Sequence, residues 1–159
     1  MGVTCQVEPF AEFVEELKAL VDGHWDEVGS FKEFQRVIDY PRYQGMDDEG
    51  KLLNVTLRDE AGQLVGYIIG AVGQDIHRAT WDSPPQYLRI TTGLVHYVKP
   101  THRGYARTLY LGFERAALAR GISIVSHRVK PQANKAGDFL AALGYGVEEI
   151  GYAKIIRPA

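Results

Sequence analysis

The sequence predicts a mixed α/β (α+β) fold, with a largely antiparallel central sheet of about six to seven strands flanked by about four helices. Three observations carry this expectation. Leu53, Val55 and Leu57 alternate with Asn54, Thr56 and Arg58, Asp59 to Gly62 turn the chain, and Leu64 to Val72 resumes as an apolar run, the pattern of a β-hairpin. Leu94 to Gly121 runs from an apolar strand through a short basic loop into an amphipathic helix. Around these segments the periodicity gives strand, two helices, antiparallel strands, then strand, helix, strand, helix, strand. A mixed sheet with helices on both faces accommodates that order.

Taken in turn, Val3 to Val7 alternates as a first strand, and Phe10, Phe13, Val14, Leu17, Leu20 and Val21 fall at helical spacing up to Asp22-Gly23. Ser30 with Glu33 has capping-box spacing and predicts a second helix that stops before Pro41. After the hairpin, Gly73 to Gln86 reads as a long loop, and Tyr87 to Val98 as the next strand. A helix from about Gly104 carries Leu109, Phe113 and Ala116 on one stripe and closes at Arg120-Gly121, where glycine suits a left-handed cap. Ile122 to Val129 follows as a strand, Ala133 to Leu143 as a helix closed by Gly144, and Tyr152 to Ile156 as a last strand.

With 159 residues, 45% hydrophobic and 24% charged, the chain reads as a single domain spanning residues 1–159 that can bury a core. A formal net charge of −2 argues against nucleic acid as the main partner, because phosphate-backbone binding leaves a basic footprint over a whole face. Cys5, the single cysteine, excludes an internal disulfide and points to a reducing compartment. The apolar runs are short, and the first residues lack a basic stretch leading into an apolar one. The expectation is a cytoplasmic protein with neither membrane span nor signal peptide.

Chemistry concentrates after the strand Tyr87 to Val98. The loop Lys99 to Gly104 carries Lys99, His102 and Arg103, and the helix behind it aims unpaired N–H groups and the positive end of its dipole at whatever sits over Arg103 to Thr108. That combination makes an anion site. No two histidines have H-x-x-x-H spacing, so no metal site is expected. Gly66, Gly70 and Gly73 lack a following helix and fit close strand approach better than a dinucleotide loop.

R-G-Y-A-R-T (Arg103 to Thr108), following a strand that ends Y-V-K-P, resembles the R/Q-x-x-G-x-G/A pyrophosphate loop of the GCN5-related N-acetyltransferases. Ala106 and Thr108 stand where that motif has Gly and Gly or Ala, and Gly104 occupies one of its free positions. N-K-A-G-D-F-L-A-A-L-G-Y (Asn134 to Tyr145) is similar to the family's N-x-x-A-x-x-x-Y-x-x-x-G-F helix, one residue shorter, and the order of elements matches over essentially the whole chain. The resemblance implies transfer of the acetyl group of acetyl-CoA to a primary amine by direct attack through a tetrahedral intermediate. Its alternative is a catalytically degenerate CoA-binding module of the same fold that acts as a sensor or interaction domain.

The resemblance also implies roles. The pantetheine arm would lie along the strand ending Tyr97-Val98, with a backbone N–H at or near Val98 meeting the thioester oxygen. The pyrophosphate would sit over Arg103, Gly104, Tyr105, Ala106, Arg107 and Thr108, with Asn134 also on the cofactor side. A glutamate that serves the family as base is replaced by Thr92, and the tyrosine that serves its leaving group is replaced by Leu140. Counting in twos puts Thr92, Leu94, His96 and Val98 on one strand face, which makes His96 the leading base candidate. His24, Trp25 and Glu27, expected between the first two helices, together with Thr92 are candidates for the amine side, and Glu27 or His24 for a proton relay. Tyr105 and Tyr97 are candidate donors to sulphur. The acceptor is a small-molecule or protein amine, and exposed apolar edges allow a homodimer.

Overall fold

The computed structural model describes residues 2–28, 35–129 and 134–148. The chain divides into two units, Met1–Arg128 and Val129–Ala159. In the first, β1 (Val3–Val7), α1 (Phe10–Val28), α2 (Tyr40–Asp48), β2 (Leu52–Asp59), β3 (Leu64–Ala79) and β4 (Tyr87–Val98) are followed by a 3₁₀ turn (Pro100–Tyr105), α3 (Ala106–Ala119) and β5 (Ile124–His127). The strands form one sheet in the order β1-β2-β3-β4-β5, antiparallel throughout except for the parallel β4–β5 pair. The second unit contributes α4 (Asn134–Ala142), closed by Gly144 at φ 95°. Mixed, largely antiparallel character and four α-helices agree with the sequence reading. The strand number does not: five strands occur among the described residues, where six to seven were expected. The remaining expected strand, Tyr152 to Ile156, lies outside them.

Period-two alternation in β2 separates two packing faces. Leu52 turns toward α1 and packs with Phe10, Phe13, Leu17, Leu64, Tyr67 and Ile69. Toward α3, whose Leu109, Phe113 and Ala117 are fully buried, face Cys5 and Val55; an added Cβ on Gly112 of α3 would run into the Cys5 sulphur and meet Val55 at 3.8 Å. A side chain the size of Phe113 withdrawn completely from water contributes roughly 3 kcal/mol. Gly70 sits where β3 passes beneath that ring: an added Cβ would lie 2.5 Å from Phe113 Cζ and 2.7 Å from Thr91 Oγ1. Close approach therefore requires glycine at this position.

Three expectations are corrected. Helix α1 continues past Gly23 to Val28, because Gly23 lowers helix propensity by about 1 kcal/mol without imposing a left-handed stop. His24, Trp25 and Glu27 consequently stand on its last turns instead of between helices. Helix α2 begins at Tyr40 with Pro41 in its first turn, where a missing N–H costs nothing, and the Asp39 carboxylate caps it by accepting from the Arg42 N–H at 3.0 Å. The helix expected to stop before Pro41 is not found at 35–39, and residues 29–34 lie outside the described residues. Finally, much of the expected loop Gly73 to Gln86 is strand: β3 runs on to Ala79 and pairs with β4 out to Tyr87, leaving residues 80–86 as the connection. No helix among the described residues is long and apolar enough to cross a membrane.

Candidate functional site

The site begins with an opening in the sheet. Strands β4 and β5 pair from Ile90–Ile124 to Gly93–His127, where β5 ends while β4 continues to Val98. On the other edge β4 stays joined to β3, with Lys99 N–H donating to the Val65 carbonyl at 2.8 Å beyond the last strand pair. Hydrogen-bonded and non-hydrogen-bonded pairs alternate in an antiparallel ladder, so Tyr97 and Val95 also bond to β3. The backbone N–H and C=O groups of His96 and Val98 therefore point the other way, into the opening.

A β-bulge sets which side chains flank that opening. Ile69 pairs with Val95 and Gly70 with Gly93, leaving Leu94 as the extra residue. Alternation reverses there, so Thr92 does not share the face of His96 as counting in twos suggested. Instead its hydroxyl lies 2.9 Å from Ser126 Oγ, across the paired part of β4 and β5.

His96 faces α3, held by both ring nitrogens. Its Nε2 lies 2.9 Å from the Arg128 carbonyl, which only accepts, so Nε2 carries the proton; Nδ1 then accepts from the Tyr110 hydroxyl at 2.6 Å. Burial pushes the imidazole below its ordinary pKa despite the bond to Arg128, and burial pushes the Tyr110 phenol upward. His127 packs against Tyr110 with ring centroids 4.8 Å apart and is pushed down to about 3 by burial and by neighbouring His96. The missing Cβ of Gly93 makes room for it, since an added one would meet His127 Nδ1 at 2.5 Å. All three groups are neutral at pH 7.

At the open end of β4 the 3₁₀ turn leads into α3. Pro100 starts it, Ala106 N–H donates to the Arg103 carbonyl, and the first turn of α3 has no side-chain cap. Gly104 has open space where a Cβ would be, and Ala106 adopts helical angles, φ −53° and ψ −42°, that suit alanine. Arg107 is exposed and Thr108 half-buried. Tyr105 closes the 3₁₀ turn beside His102, with ring centroids 6.4 Å apart.

The last turns of α1 approach the same end of β4 from the opposite face. The Glu27 carboxylate forms an ion pair with the Arg103 guanidinium. His24 stacks on Tyr97 at 4.8 Å and 15°, and its Nδ1 is 2.7 Å from the hydroxyl of fully buried Tyr67. Burial and the Glu27 charge raise the Tyr97 phenol, with Arg103 opposing. Burial, with smaller contributions from Tyr97, Tyr40 and Tyr43, raises that of Tyr67. Thus His24, Glu27, Tyr97 and Arg103 form one cluster, with Trp25 next to His24 on the helix. Thr92 stands apart in the paired region, and Asn134 opens α4 in the other unit. No group of three metal-ligating side chains occurs among the described residues.

Sequence reasoning missed Tyr110 and Tyr67. Tyr110 was detectable, because it stands three residues before Phe113 and seven before Ala117, on the buried stripe of α3. Tyr67 lies within an apolar strand, where its hydroxyl gives no pattern of its own.

No family model matches the sequence, and no curated protein matches it. Solved structures do match. An aminoglycoside acetyltransferase from an uncultured soil metagenomic sample, in complex with sisomicin, aligns with TM-score 0.73 and 11% identity over 98% of this chain and 97% of its own. A ribosomal-protein-alanine N-acetyltransferase from Brucella melitensis biovar Abortus 2308 aligns with TM-score 0.72 and 15% identity over 99% and 100%. AAC(6')-Iy, in complex with the bisubstrate analogue CoA-S-monomethyl-acetylneamine, aligns with TM-score 0.68 and 16% identity over 99% and 100%. The chain has the fold of the GCN5-related N-acetyltransferases, as the resemblance of its strand-loop-helix implied.

Proposed function

We propose that this chain is an acetyl-CoA-dependent N-acetyltransferase acting on a primary amine. The observation that carries the reading is the opening between β4 and β5, faced by the backbone groups of His96 and Val98 that β3 does not take up and ending at the basic start of α3. An extended amide-bearing arm pairs with such an edge as another strand would. The pyrophosphate at its end takes the loop Arg103, Gly104, Tyr105, Ala106, Arg107 and Thr108. A backbone N–H near Val98 on this edge, that of His96 toward the end where β4 and β5 still pair, meets the thioester oxygen as it becomes an oxyanion, a donor worth roughly 3 kcal/mol in rate.

The amine approaches from the α1 face, past His24, Trp25, Glu27 and Tyr97. An alkylammonium titrates near ~10, so it must lose a proton before attack. We assign that proton to His24, which stacks on Tyr97 on the α1 face where the amine approaches, whereas His96 faces α3. Attack forms the C–N bond, the tetrahedral intermediate collapses with the electron pair on sulphur, and a thiol of pKa ~8.5 departs readily. Both small-molecule and protein amines remain within this reading, as the named neighbours illustrate.

Thermal shift with acetyl-CoA, CoA and ATP checks the cofactor. Both CoA species are expected to raise the melting temperature, with ligand at 100 times Kd adding about 2.7 kcal/mol, while ATP at the same concentration gives less. Absence of CoA-dependent stabilisation contradicts the proposal. Tight CoA binding without thiol release across a broad amine panel points instead to a non-catalytic CoA-binding module.

A further inference from the structure

His96 stands at the apex of the opening. It lies three residues beyond Gly93, where the β4–β5 pairing ends, and its ring spans the gap to Arg128, the first β5-side carbonyl past that last pair. The basic loop lies at the opposite, wide end, immediately after Val98. An arm anchored there by its phosphates and laid along His96 and Val98 brings its thioester toward the apex. The group waiting at that point is an N–H donor held in one tautomer.

We propose that His96 is the hydrogen-bond donor to the departing sulphur and that Tyr110 is the positioning residue that keeps the proton on Nε2. This rests on the acetyltransferase reading above. As the C–S bond breaks and the electron pair moves to sulphur, Nε2–H turns from the Arg128 carbonyl to the thiolate. The proton stays on nitrogen, the thiolate later takes one from water, and the imidazole returns to Arg128. Tyr110 holds the opposite nitrogen throughout, because an imidazole accepting at Nδ1 has only Nε2–H to offer.

Among the described residues, the titratable groups facing His96 are Tyr110 from α3 and His127 from β5; Ile68, opposite it on β3, does not titrate. Both tyrosine and histidine remain neutral around pH 7 to 9, given their burial. A change in thiol titration over that range therefore reports on the donor and not on ionisation of Tyr110 or His127.

The test is the pH dependence of CoA binding by calorimetry from about pH 7 to 9.5, with desulfo-CoA as the probe lacking sulphur. A charge-assisted hydrogen bond should favour bound thiolate by about tenfold, lowering the bound thiol about one unit below its free value near ~8.5. Wild-type affinity for CoA is then expected to rise with pH while that for desulfo-CoA stays flat. His96→Gln and His96→Ala should lose the rise, and Tyr110→Phe, which keeps the ring packing, should lose part of it by freeing the other tautomer. An unchanged rise in folded His96 variants overturns the proposal while leaving CoA binding intact. Failure of wild type to bind CoA at any pH overturns the acetyltransferase reading and this inference with it.

Discussion

Replacing Arg58 by alanine is expected to destabilise the first unit by about 3 kcal/mol or more, measured by urea unfolding at pH 7. Arg58 is largely buried, and its guanidinium donates to both oxygens of Glu8 at 2.8 and 3.1 Å, to Glu16 at 2.7 Å and to the Gly62 carbonyl at 2.7 Å. Glu8 is 6% exposed, so truncating Arg58 leaves a charge away from water without its partner. Breaking a buried pair in this way costs about 3–5 kcal/mol, whereas replacing both members by apolar side chains is often close to neutral. Arg58→Met combined with Glu8→Met should accordingly recover much of the loss. Burial raises the Glu8 carboxyl, but hydrogen bonds from Arg58, Thr56 and Gln6 outweigh it and hold the group below its ordinary value; Glu16 is lowered through Leu64 N–H and Arg58 in the same way. A carboxylate depressed in the folded state adds stability above its unfolded pKa, near ~4.3, and loses it as the pH falls through the lower folded value. Wild type should therefore weaken below about pH 4.3, and Arg58→Ala should lack that portion of the acid dependence.

Arg103→Glu is expected to weaken acetyl-CoA binding by about 100-fold in calorimetry, through loss of a charge-assisted contact and the addition of a like charge beside the pyrophosphate. Arg103 is half-exposed and its ion pair with Glu27 is worth about 1 kcal/mol or less, so the melting temperature without ligand should move little. Glu27 sharpens the prediction. It holds the Arg103 guanidinium, so a cofactor phosphate bound as proposed would compete with it, and Glu27→Gln should tighten acetyl-CoA by about threefold, the scale of an exposed ion pair. Equal affinity in Arg103→Glu and wild type would remove Arg103 from the phosphate site.

The strand-loop-helix was legible because its signals are local: an apolar strand, Pro100, three basic residues and the Leu109–Phe113 stripe all lie within one short segment. The β2–β3 hairpin was legible for the same reason. What escaped depends on partners distant in sequence. Nothing at Leu94 announces the bulge, which shows only in the pairing of β4 with β3, yet it reversed the face of Thr92 relative to His96. The Glu27–Arg103 pair and the His24–Tyr67 contact join segments whose proximity only the folded sheet creates. Similarly, His96 was legible as a candidate from its position, but its tautomer depends on Tyr110 and on the Arg128 carbonyl.

Residue-resolved amide exchange with and without acetyl-CoA tests the central claim most directly. The register gives Val95 and Tyr97 to β3 and turns the N–H groups of His96 and Val98 into the opening. Acetyl-CoA is predicted to slow exchange at His96 and Val98 and at the start of α3, while Val95 and Tyr97, already bonded, change little. Binding that leaves His96 and Val98 exchanging at their ligand-free rates would contradict the account.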